Sequence, residues 1–418
     1  MQNPSCVVLS VLLAGSALAA DFHVSPAGSG TKDGGSAANA APGASASALF
    51  NDTLQAGDRL LFSAGDYHGL SLNLAKGGTE EKPKVILGAP GAVFSSNWTI
   101  EKPDKGATAI TLAPGLSHVV FKDLSVRNYC FVVRANPAKD APRSGLVFDN
   151  LDMQQMRHGF YLSDCDDLVF TGCDMKRYSK HGFRFEQGCD RVKVSKCTAD
   201  CSEGDAVWET KTEVFTFGFL LNNGGEPNTS FVFEDCLATN NIKSNQTVKY
   251  TNGDGFVAEG NSQDVTYTRC RALRNQDGGF DLKVKDVKLT DCIATGHRRD
   301  FRLWHNATLK NCFGGWSQTG LWTKGGPVIL DNCTFIGHRH ASVEIEDKAP
   351  GPLTLNNCLL VTGDAKVGAA IGKYDGTGTV VVKTAEEAGI SSPNPAWDGQ
   401  GPAMNSTKHP GKGYRAVR

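Results

Sequence analysis

Several absences bound this chain before any motif is considered. It has no excess of one charge: 43 Lys and Arg stand against 44 Asp and Glu, a formal net charge of -1. That argues against a general polyanion-binding surface, hence against nucleic acid as a partner, and any acidic ligand has to meet a local cluster of cations. Beyond the N-terminus it has no run approaching the ~20 apolar residues that a membrane-spanning helix needs. Its 13 cysteines include no C-x-x-C pair of the kind that holds structural zinc. The LxxLxLxxN pattern of leucine-rich repeats is missing as well. What is present, 40% apolar residues and 47 glycines, belongs to a folded chain rather than a disordered one.

The first residues are of another kind. Val7 to Ala20 reads VVLSVLLAGSALAA, an apolar stretch ending in the small-x-small step Ala17-Leu18-Ala19, although no Lys or Arg precedes it. It reads as a signal peptide cleaved near Ala19, too short to cross a bilayer, so the mature protein is expected to be exported, free of the membrane and monomeric. The expected divisions are a signal at 1–19, a cap and first coils at 20–117, a repeat region at 118–385 and an irregular tail at 386–418 that packs alongside or frays.

The repeat is visible in the cysteines. Short strands end in a polar-Cys step at Cys173, Cys197, Cys236, Cys270, Cys292, Cys312, Cys333 and Cys358, spaced by 20 to 25 residues outside two longer insertions. A second apolar strand follows: Phe183, Val207, Phe280 and Val343 come 10 residues after their cysteines, and Phe301 and Leu321 come 9 after. After Cys236 the distance to Phe256 grows to 20, so a loop around IKSNQTVKY protrudes there. Gly or Asn four or five residues after many cysteines (Asn240, Asn275, Gly296, Gly337, Gly363) suits a left-handed turn. A unit this short buries its apolar residues only by stacking at about 4.8 Å on its neighbours, which lines equivalent positions into ladders. The fold class is therefore all-β, a right-handed parallel β-helix, with an N-terminal cap containing a short helix to cover the open end of the stack. Cysteines at one register read as small buried hydrophobes. Cys165 and Cys189, which end adjacent units at equal register, are the pair best placed for a disulfide.

Aligning the second strands (HGFYL, HGFRF, DAVWE, DGFVA, GGFDL, RDFRL, TGLWT, ASVEI) puts their apolar third residue inward and the next residue outward. The outward row runs Tyr161, Arg184, Trp208, Val257, Asp281, Arg302, Trp322 and Glu344, beside a parallel row of Ser163, Glu186, Thr210, Glu259, Lys283, Trp304, Lys324 and Glu346. Asp205, Asp254 and Asp277 stand where loops enter these strands, so Asp254, Asp277 and Asp281 converge across two adjacent units. Three carboxylates so close ordinarily call for a hard cation, and oxygen-only ligands favour Ca²⁺ over Zn²⁺. The other reading is a solvated turn. Next to them Lys283, Arg302 and Lys324 alternate with Trp304 and Trp322, cations and aromatic platforms suited to an acidic polysaccharide. His158, His181 and His340, ahead of the second strands, are expected to serve loop hydrogen bonds.

These segments resemble polysaccharide lyases of β-helix fold, most closely the pectate lyases of family 9, whose signature is an NADGF-type segment followed by DDGFD. Here they read NGDGFVAEG and NQDGGFDLK. The resemblance implies Ca²⁺ ligands at Asp254, Asp277 and Asp281, with Gly278 standing where the family has a fourth aspartate. The family's catalytic lysine, in a later GNGFK segment, falls at Arg302 in RRDFRLW, which makes Arg302 the first choice of base and Lys283 the second. KHGFRF at 180–185 adds weaker support and brings Arg184 to the substrate-binding set, with Lys324, Trp304 and Trp322. The implied chemistry is Ca²⁺-assisted β-elimination on a uronate polymer by a secreted lyase. Two alternatives stand beside it: a β-helix glycoside hydrolase, for which the NTD and GHG segments of polygalacturonases are missing, and a non-catalytic carbohydrate-binding β-helix.

Overall fold

The computed structural model describes residues 19–202, 215–222, 224–242, 252–346 and 351–416. The signal-peptide reading at 1–19 therefore lies outside the described residues except at Ala19, and Asp205, Val207, Trp208 and Thr210 lie outside them altogether. Among the described residues no helix is long and apolar enough to cross a membrane.

The chain winds as a right-handed parallel β-helix. One face is a sheet of 14 strands, from Ala41–Pro42 and Asp21–Ser25 at one end to Leu353–Asn356 at the other. After the last eight of these strands, from Cys165–Thr171 onward, the chain turns at the polar-Cys step. The physical reason for the polar residue is its backbone: Gly172, Lys196, Asp235, Arg269, Asp291, Asn311, Asn332 and Asn357, each just before a cysteine, have φ between 51° and 58°, the left-handed region that Asn, Asp and Gly tolerate best. The cysteine that follows points inward; all twelve described cysteines are buried and free. Cys165 and Cys189 are thus stacked thiols, not a disulfide, because burial at equal register satisfies them as small apolar groups with Cys165 Sγ donating to the Ser163 carbonyl (3.2 Å).

A three-residue strand comes next, such as Arg271–Leu273 or Ile293–Thr295, then a second corner and a five-residue strand such as Gly278–Leu282 or Arg299–Leu303. In the earlier coils these two strands run together, as in Asp152–Ser163 and Asp174–Gln187. His158 and His181 fall inside these long strands and not in loops; they are buried, with their rings in a stack from Phe131 through both histidines to Phe217 (centroids 4.8, 5.0 and 5.6 Å apart). The second corner is left-handed at Asn240, Arg274, Gly296, Trp316, Gly337 and Gly363, so in the unit of Cys270 it falls on Arg274 and not on Asn275.

The inward third residues of the five-residue strands build the core spine. Phe160, Phe183, Phe219, Phe256, Phe280 and Phe301 stack with centroids 4.6–5.3 Å apart, a spacing that keeps successive coils in register. Phe219 corrects the sequence alignment: Phe183 pairs with Phe219 and Arg184 with Leu220, so Leu220 holds the row position expected for Trp208, and the extra residues of that unit precede the strand Phe217–Leu221. The outer face of the three-residue strands is apolar (Leu273, Ile293, Phe313, Ile336, Leu359), and the C-terminal segment packs back over it through Ala388, Ile390, Trp397, Met404 and Tyr414. This segment starts in a helical turn, Ala385–Ala388, whose N-cap Thr384 forms a capping box with Glu387 and whose end is closed by Gly389 at φ 69°.

Candidate functional site

Because every five-residue strand pairs in parallel with the next, each outward row is set by register. Val257 pairs with Asp281, Asp281 with Arg302, Arg302 with Trp322 and Trp322 with Glu344. The rows place Asp281 and Arg302 one coil apart, with Asp254 and Asp277 at the entrances of their strands. All three aspartates are nearly buried, at 2–4% exposure.

Burial of three carboxylates demands compensation, and the chain supplies it. The Arg302 guanidinium lies 3.2 Å from Asp281 Oδ2 and 3.7 Å from Asp277 Oδ2. Arg298 and Arg299 approach Asp277 Oδ1 at 3.5 and 3.9 Å. Trp304 Nε1 donates to Asp281 Oδ1 at 2.7 Å, and the Gly278 N–H donates to Asp254 Oδ1. Burial, reinforced by Asp281 and Asp277, holds the Asp254 carboxyl well above the usual carboxylate range. Burial raises Asp277 too, against the opposing pull of Arg302, Arg298 and Arg299.

These side chains do not fit a calcium ion as they are arranged, which departs from the ligand set expected at Asp254, Asp277 and Asp281. The space between Asp277 and Asp281 is held by a guanidinium, and both oxygens of Asp281 are engaged. A Cβ added at Gly278 would stand 2.7 Å from Asp254 Oδ1, so a fourth carboxylate there would require the Asp254 side chain to move. Among the described residues no group of three or more His, Cys, Asp or Glu side chains is placed to hold a metal ion.

The remaining expected residues divide. Lys283 joins the cluster: its Nζ lies 2.9 and 3.0 Å from the two Glu259 carboxylate oxygens and 3.9 Å from Asp281. Burial pulls its ammonium toward neutrality, but Asp281 and Glu259 outweigh that and leave its pKa raised. Lys324 sits 5.2 Å over the Trp304 ring and 3.7 Å from Glu346. Arg302 lies over both rings of an edge-on tryptophan pair, 4.7 Å from Trp304 and 5.4 Å from Trp322. Trp322 is only 7% exposed, so it backs Arg299 and Arg302 rather than offering an open ring. Arg184 stands apart, three register steps from Asp281 beyond Leu220 and Val257, paired with Glu186 and 5.0 Å over Tyr161. Sequence reasoning missed Arg298 and Arg299, although the Arg-Arg pair immediately before an inward strand was a usable signal. The Nε atoms of Arg299 and Arg302 are buried and have no hydrogen-bond partner among the described residues.

No protein-family model matches the chain. Its structure resembles that of pectate lyase Pel9A, with a TM-score of 0.53 and 16% identity over 93% of this chain and 88% of that one. It also resembles the A-module of the Azotobacter vinelandii mannuronan C-5 epimerase AlgE6, with a TM-score of 0.52 and 11% identity over 78% and 91%. These likenesses establish the fold. In sequence, 134 residues, 32% of this chain, are 24% identical to the capsule K1-specific depolymerase of Klebsiella phage K64-1, and they span 12% of that protein's length.

Proposed function

We propose that this protein cleaves a uronate-containing polysaccharide by β-elimination, with arginines supplying the charge stabilisation. The observation that carries the reading is the Arg302 clamp: a cation fixed by two buried carboxylates and two tryptophans, beside Arg299, Lys283 and Lys324. A uronate carboxylate bound there has its charge neutralised, which acidifies the adjacent C5–H; a base removes that proton and the C4 oxygen leaves, giving an unsaturated uronate. A guanidinium is a poor base, so Arg302 takes the electrostatic role. Lys283 is the proton acceptor. Only its neutral form accepts a proton and its pKa lies above the ordinary range, so the rate should climb with pH well into the alkaline range. Removing the nearer carboxylate with Glu259→Gln lowers that pKa, and the pH–rate profile should move to lower pH; an unmoved profile would exclude Lys283 as the base. The similarity to Pel9A in fold and to a phage depolymerase in part of the sequence supports a polysaccharide substrate.

A second reading is favoured by one observation. Burial raises both Asp254 and Asp277, but three arginines pull Asp277 back while two carboxylates push Asp254 further up, and environments that act so unequally on two carboxyls suit the acid and base of a glycoside hydrolase. Incubation with polygalacturonate, alginate and glycosaminoglycans separates the two. Absorbance near 235 nm, unchanged by chelator, is expected for the lyase. New reducing ends without absorbance would establish the hydrolase, loss of absorbance on chelation would restore a metal, and neither signal would leave a binding protein.

A further inference from the structure

The second corner of the coil carries a cleft of about 450 Å³ that the reaction above does not use. Arg274, Arg298, Trp316 and Arg339, from four successive coils, line it together with Gln276 and Gln318. Its electrostatics are one-sided. Among the described residues Arg274 donates only to neutral oxygens, Asn240 Oδ1 at 3.4 Å and Thr239 Oγ1 at 3.5 Å, and Arg339 makes no ion pair or side-chain hydrogen bond; Arg298 shares Asp277 at 3.5 Å with the neighbouring site. Trp316 is a second, independent observation. Its φ is 55° where the equivalent positions on adjacent coils are Gly296 at 79° and Gly337 at 71°, and a bulky aromatic residue is costly in that conformation. The corner accommodates its ring only because the next coil has glycine: a Cβ at Gly337 would fall 2.6 Å from Trp316 Cδ1. The half-buried ring lines the cleft beside the three guanidinium groups and gives it an aromatic face.

We infer that this corner cleft binds an anionic sugar residue, carboxylated or sulfated, stacked on Trp316 and held by Arg274, Arg339 and Arg298. The sugar class rests on the function proposed above, whereas the anion site rests on the cleft itself. Methyl galacturonoside, methyl galactoside and its 6-sulfate, which have no inter-sugar bond to cleave, serve as probes by calorimetry or ligand-observed NMR. They are compared in Arg302→Met, whose face lacks its clamp, and in that variant carrying Trp316→Asn or Arg274→Ala with Arg339→Ala. Both anionic glycosides should bind Arg302→Met and the neutral one should not, and either cleft change should weaken binding at least tenfold. Trp316→Asn should unfold close to the wild-type temperature, because Asn tolerates the left-handed turn. Equal binding with and without the cleft changes, or equal binding of the neutral glycoside, would overturn the inference. Should Arg302→Met not fold, the same changes in the wild-type chain must remove one of two binding events. Turnover in Arg302→Met tests the proposed reaction and binding in the cleft variants tests the cleft, so the two fail separately.

Discussion

Replacing Arg302 with methionine should lower product formation by roughly 10²–10³-fold, the loss typical of removing one preorganised charge stabiliser. Methionine keeps an apolar stem against Trp304 and Trp322, so the comparison isolates the charge. Arg302→Lys should recover only part of the rate, since a compact ammonium does not reproduce the planar guanidinium that lies over Trp304 and Trp322. Arg302→Met should also cost about 3 kcal/mol of stability near neutral pH, because two buried carboxylates lose their shared partner. The sign with pH follows. Without Arg302 the folded-state pKa of Asp277 rises further above its unfolded value, a penalty felt while the unfolded carboxyl is ionised and relieved as pH falls toward 4. Initial rates at 235 nm and thermal unfolding at the two pH values check both halves. Wild-type turnover in Arg302→Met would remove the clamp from the reaction.

Truncation after Lys383 should leave a chain that is insoluble or self-associates. The segment removed carries Ile390, Trp397, Met404 and Tyr414, which cover Ile293, Phe313, Ile336 and Leu359. Trp397 packs edge-on against Phe313 with centroids 4.7 Å apart. Each of those large side chains contributes roughly 1.5–3 kcal/mol by burial, and its loss leaves a contiguous apolar stripe, a surface that promotes association. Sedimentation and dye binding to exposed apolar surface check this; a truncated monomer with the full-length unfolding temperature would show the cover to be dispensable.

Much of this architecture was legible because the polar-Cys step has a backbone cause that repeats once per coil. The convergence of Asp254, Asp277, Asp281 and Arg302 followed from register alone. Register, however, depends on choosing the right strand. Val207 and Phe219 both follow Cys197, and the usual 10-residue spacing favours DAVWE and Trp208, whereas the Gly-Phe step that FGFLL shares with HGFYL, HGFRF, DGFVA and GGFDL marks the strand that holds Leu220. Charge compensation was harder still. A row of carboxylates suggests a cation, but whether that cation is an ion or a guanidinium depends on how far Arg302, Arg298 and Arg299 reach across coils, which is a matter of rotamer and not of spacing. The C-terminal cover was invisible for a similar reason: its apolar residues have no period, and their partners are on the outside of the solenoid.

One consequence of the phenylalanine spine reaches beyond stability. With one ring per coil at a near-constant interval, the molecule is ruled in steps, and each outward row takes one side chain per step. Inserting or deleting a whole coil would displace Arg184 relative to Arg302 by about 4.8 Å without disturbing the chemistry at either end. Reach along a polymer is therefore adjustable in whole units, separately from the reaction performed on it.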